Sequence, residues 1–102
     1  MENNNQQQLS IDLPAEVADG IYSNLAIISH SNSEFILDFA RVMPGTPKAK
    51  VVSRVILTPE HAKKLLAALQ DNIQKYEQNI GPIKVTNNNI PMPPMGSGSA
   101  QA

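Results

Sequence analysis

The side chains of this 102-residue chain that could do chemistry are few and scattered. His30 stands between Ser29 and Ser31. A histidine beside a serine invites a nucleophile reading, with the imidazole as general base. That device also needs an acid to orient the ring and donors to hold an oxyanion, and nothing nearby is spaced to supply either. No catalytic residue is expected. His61 lies just inside a helix start and is expected to meet solvent or a carbonyl. With two histidines and no cysteine, the chain lacks a thiolate site, a disulfide framework and the ligand set of a structural zinc. No metal and no cofactor is expected. Gly20, Gly45 and Gly81 stand alone, so there is no phosphate-cradling loop, and no G-x-S-x-G elbow occurs.

Charge is more informative. The net charge is −1, yet the signs are segregated. Glu2, Asp12, Glu16, Asp19, Glu34 and Asp38 precede every Lys and Arg, whereas Arg41, Lys48, Lys50, Arg54, Lys63 and Lys64 follow with Glu60 as the one acid among them. Acidic and basic strands that pair inside the fold account for this economically. The sharper reading is an anion-binding patch of Arg41, Lys48, Lys50 and Arg54 that tracks phosphates. Against it, aromatic stacking platforms are scarce. Phe35, Phe39 and Tyr76 fall on expected core faces, and only Tyr22 is left.

Three strand-like runs followed by one helix must position these groups. Tyr22–His30 reads as a strand, Ser31-Asn32-Ser33 as a turn, and Glu34–Met43 as a second strand with Phe35, Leu37 and Phe39 on one face. Pro44-Gly45-Thr46-Pro47 is a turn, and Ala49–Leu57 a third strand with Ala49, Val51, Val55 and Leu57 sharing a face. Leu9, Ile11 and Leu13 alternate with polar residues and predict a further short strand ending at Pro14. The connector to Gly20 has room for one helical turn. Thr58, Pro59 and Glu60 form a helix start: a capping hydroxyl, a proline at the first position and an acid that complements the dipole. Ala62, Leu65, Leu66, Leu69, Ile73, Tyr76 and Ile80 recur at three- and four-residue spacing, which predicts an amphipathic helix to about Ile80, stopped by Gly81 and Pro82.

Register follows from cost. Leu37 opposite Val55 sets Phe35 against Leu57, Phe39 against Ser53, and Asp38 against Arg54 on the other face. A one-residue slip would turn Arg54 into the core. In the first hairpin, Ile27 is expected opposite Leu37 and Leu25 opposite Phe39. The helix stripe is expected to cover the Phe35/Leu37/Phe39 face. The other face then carries Tyr22, Ile28, Ile36, Val42, Val52 and Ile56 among a few polar groups, too apolar for open solvent. Those residues are the expected dimer or partner interface.

Size supports the need for a partner. Asn/Gln-rich residues 1–8 and the Pro/Gly/Ser-rich 82–102 read as mobile tails, which leaves 9–81 as a single domain. A domain so small buries only about 60% of its unfolded surface. No apolar run reaches the roughly 20 residues of a membrane span, and the first eight residues do not read as a leader, so the expected location is the cytoplasm.

The stretches Gly20–Asn24, Ser29–Phe39 and Thr58–Leu66, with Tyr76-Glu77 before Gly81, resemble the small domain-of-unknown-function proteins common in Bacteroidetes. The resemblance runs from about Leu9 to Gly81. It implies no established activity. Genes for such proteins often lie beside those of the large RNA polymerase subunits, which implies a transcription-linked accessory role without naming a residue. The resulting expectation is an α+β protein: an antiparallel sheet of three to four strands with one long C-terminal amphipathic helix packed on one face. It is expected to be non-enzymatic and homodimeric, with RNA polymerase as the suggested protein partner and no membrane partner. Nucleic-acid binding through 41–64 ranks second, and an unrecognised enzyme third.

Overall fold

A computed structural model describes residues 9–86 of the chain. The tail expected over 1–8 lies outside the described residues, as do residues 87–102 of the tail expected over 82–102. The order of elements is α1 (Ala15–Ala18), β1 (Leu25–His30), β2 (Phe35–Arg41), β3 (Lys50–Leu57) and α2 (Pro59–Asn79). The strands form one antiparallel sheet in the order β1-β2-β3. The architecture is α+β, a three-stranded antiparallel sheet with a C-terminal helix.

Local chemistry explains most boundaries. The β1–β2 turn is closed by the Ser31 N–H on the Glu34 carbonyl at 2.9 Å. The Ser31 hydroxyl also accepts from the N–H groups of Ser33 and Glu34, each at 3.2 Å. In the β2–β3 connection, the Thr46 N–H reaches the Met43 carbonyl at 3.2 Å. Gly45 sits at φ 78° there, the third position of a type II turn after Pro44. At the start of α2, the Thr58 hydroxyl accepts from the His61 N–H at 3.1 Å, with Pro59 in the first turn. The pairs Lys64–Glu60 at 3.3 Å and Lys75–Asp71 at 3.0 Å lie along the exposed side of the helix. Beyond Gly81, the Ile83 N–H bonds the Glu77 carboxylate at 3.0 Å and turns the chain back on the helix end.

The β2–β3 register is the one that the cost of burying Arg54 dictates: Phe35↔Leu57, Leu37↔Val55, Asp38↔Arg54 and Phe39↔Ser53. Four expectations are corrected. The first hairpin is shifted by one residue, so Leu37 faces Ile28 and Phe39 faces Ala26, while Ile27 faces Asp38. Both alternations of β1 are apolar, so its pattern could not choose between them. A bulge follows Phe39, after which Ala40 pairs Val51. It leaves Val52 as the extra residue and moves Val51 off the Val55/Leu57 side. No strand forms over Leu9–Leu13, where Leu9 and Ile11 are 84% and 86% exposed. Alternation alone does not supply a neighbouring edge to pair with.

The last correction concerns the core. Helix α2 meets the sheet mainly along β3 and buries none of its residues. The buried apolar residues among those described are Ile27, Leu37 and Ala40, joined by Asp38. Ile27, Asp38 and Ala40 lie on the face turned away from the helix. The stripe therefore flanks the Phe35/Leu37/Phe39 face without sealing it.

Candidate functional site

Between α2 and the sheet runs an open groove of about 400 Å³. Phe35, Leu37 and Phe39 line one wall, and Leu65, Leu66 and Leu69 line the other. Ala26 and Ile28 join the sheet wall. Every lining side chain is apolar, so the groove offers dispersion and desolvation but no polar handle. It can hold an apolar side-chain row but has nothing with which to orient a reacting group. The strands position the sheet wall through their two-residue period, and the cap at Thr58 sets where the helix begins.

The opposite face is organised around one ion pair. Arg54 Nε donates to Asp38 Oδ1 at 2.6 Å and a terminal guanidinium nitrogen donates to Oδ2 at 2.9 Å, a two-pronged fork. The carboxylate is enclosed, at 2% side-chain exposure, whereas the guanidinium is 57% exposed. The bonds from Arg54 hold the Asp38 carboxyl below the ordinary aspartate value, against the upward push of burial. The same bonds push the Arg54 guanidinium up. The pair is thus an enclosed acid under a half-open base.

The interface residues read from sequence divide between these two places. Ile36 faces Ile56 across β2 and β3 on the ion-pair side, with Ile56 56% exposed and Ile36 partly covered. Val52 stands at the bulge and Val42 just beyond β2, and Tyr22 precedes β1 at 66% exposure. Ile28 does not belong with them: the shifted hairpin register carries it into the groove.

The basic residues also separate. Arg54 is matched by Asp38. Arg41 reaches the Tyr22 carbonyl at 3.5 Å and stands directly opposite Lys50. Lys48 lies in the connection just before β3. His30 stacks on Phe35, with ring centroids 5.3 Å apart, which gives it a packing role at the turn. Among the described residues, no cluster of His, Cys, Asp or Glu is arranged to hold a metal ion, and no helix is long and apolar enough to cross a membrane.

Sequence reasoning missed a clasp at the head of β1. The Asn24 side-chain amide donates to the Val42 carbonyl at 3.0 Å and accepts from the Val42 N–H at 2.8 Å. It copies a backbone pair and extends the ladder past the end of the strand. The Ser23 hydroxyl adds a bond to the Ala40 carbonyl at 2.9 Å. The signal available was weak: short polar side chains just before a strand, able to bond backbone in place of a neighbour.

The fold and its surfaces define a small α+β domain. The chain belongs to the family described as "Protein of unknown function (DUF3467)", which matches residues 1–85. No curated protein matches the chain, and no solved structure does.

Proposed function

We propose that this chain is a non-enzymatic binding protein of the cytoplasm, a homodimer that acts through protein–protein contacts as an accessory of the transcription machinery. The observation that carries the reading is the open apolar groove beside a helix with no buried residue. A folded unit that fully buries no residue along the stripe of its longest helix gains from any partner that removes it from water. The groove has no polar group with which to handle a substrate, which favours binding over catalysis. The ion-pair face, with Ile36, Val52 and Ile56 around Arg54, is the surface offered to a further protein.

The partner is tested by co-sedimentation with purified RNA polymerase. Retention that survives high salt supports the reading, because apolar contacts are not screened. Failure to co-sediment at any salt removes the transcription role.

One observation favours nucleic acid as a second reading. Arg41 and Lys50 face each other across β2 and β3, and like charges so placed repel unless an anion sits between them. Binding to labelled DNA or RNA that falls steeply with salt would favour this reading.

A further inference from the structure

We propose that the groove is filled by α2 of a second copy of this chain, the two helices lying antiparallel about a two-fold axis near Leu69. The proposal rests on the homodimer reading above and gives it a site and a register.

The stripe on α2 is longer than the groove it lines. Ala62 to Leu69 face the groove, and Ile73, Tyr76 and Ile80 continue the same row at spacings of four and three beyond it. The exposures along this row are 41% at Leu65, 56% at Leu66, 53% at Leu69, 39% at Ile73, 47% at Tyr76 and 70% at Ile80. Together these side chains leave on the order of 600 Å² per copy uncovered before the sheet wall is counted, against the ~800 Å² per partner of a standard interface. A single copy therefore exposes an open trough over one half of its helix and a part-exposed apolar row along the other. Antiparallel pairing satisfies both at once. The C-terminal half of each helix enters the trough beside the N-terminal half of the other, and the contact closes on itself.

Electrostatics favours the same direction. Antiparallel helices set the positive end of each dipole beside the negative end of the other. The last turn of α2 holds no basic residue that would oppose this. The charges beside the stripe are largely internally matched, as Glu60–Lys64 and Asp71–Lys75, so two copies can approach without strong repulsion.

A two-fold axis at Leu69 makes a register-specific demand: Leu69 meets its own copy, and Leu65 meets Ile73. The chain has no cysteine, so single-cysteine variants report position cleanly. The test treats Leu69→Cys, Leu65→Cys, Ile73→Cys and Ile56→Cys with a short thiol-to-thiol cross-linker, alongside sedimentation of the unmodified chain. The expected result is a dimer by mass at high-micromolar concentration, with Leu69→Cys mostly cross-linked. A mixture of Leu65→Cys and Ile73→Cys should cross-link more than either alone, and Ile56→Cys should stay single on a denaturing gel. The mixed pair keeps the test valid if Leu69→Cys folds poorly. A dimer by mass that cross-links through Ile56, or at none of these positions, overturns the helix pairing and leaves the homodimer standing. A monomer by mass overturns both.

Discussion

Removing the cap hydroxyl in Thr58→Ala should destabilise the protein by about 1 kcal/mol, within the range of about 0.5–2 kcal/mol for such caps. The structure places the effect in the middle of that range. The hydroxyl accepts one bond, from the His61 N–H at 3.1 Å, and both residues are exposed. Water can take up the freed N–H, which keeps the loss from the upper end. On the other side, no residue of α2 is buried, so within one copy the helix depends heavily on its local devices. Urea unfolding followed by far-UV circular dichroism measures the change. For a domain this size, about 1 kcal/mol corresponds to roughly 1 M in the urea midpoint at a slope near 1 kcal/mol/M, or ~4–8 °C in melting temperature. Protein concentration must be held fixed, because a dimer's midpoint depends on it. Thr58→Ser keeps the acceptor and should stay near the parent. A Thr58→Ala midpoint within experimental error of the parent at unchanged slope would refute the argument. So would an equal loss in Thr58→Ser, which would trace the effect to the methyl group.

Further outcomes follow from the other surfaces. The folded-state pKa of Asp38 is depressed, so its contribution is present above the ordinary aspartate value and is lost as pH falls through the lower folded value. Acid titration of stability should show this loss in the parent chain and a flatter acid limb in Asp38→Asn; identical limbs would exclude it. Reversing Lys48 and Lys50 to Glu should leave stability unchanged or slightly raised, since Lys50 stands opposite Arg41. Sub-micromolar DNA or RNA binding in the parent that vanishes in this reversal would promote the nucleic-acid reading. Ile36→Glu or Val52→Glu should abolish capture of the protein partner while sedimentation still finds the dimer; loss of the dimer instead would place the two-fold contact on the ion-pair face.

How far the sequence could be read depended on whether a wrong answer was costly. The β2–β3 register was legible because slipping it would have turned Arg54 into the core, and the pairing with Asp38 is the one observed. The β1–β2 register was not, because Leu25 and Ile27 on one side and Ala26 and Ile28 on the other are equally content to be covered. That ambiguity misplaced Ile28. Helix α2 was legible from Thr58 to its end because cap, stripe and stop signals agree. Its distance from the sheet was not, because a stripe announces that it needs cover and says nothing of what covers it. The bulge after Phe39 and the Asn24 clasp both depend on backbone geometry that no periodicity encodes.

The two rims of the sheet are unequal. Along β3 the bulge at Val52 bends the strand, and α2 stands close beside it, so that rim resists further growth. Along β1 the outer backbone groups meet no strand among the described residues, and Leu25-Ala26-Ile27-Ile28-Ser29-His30 carries no Lys, Arg, Pro or acid to discourage one. Short, free of acids, Lys and Arg, and with Ile27 and Ile28 at its centre, this segment has the composition of a template for strand addition. The β1 rim is therefore the one less guarded against an added strand, on the side of the sheet away from α2.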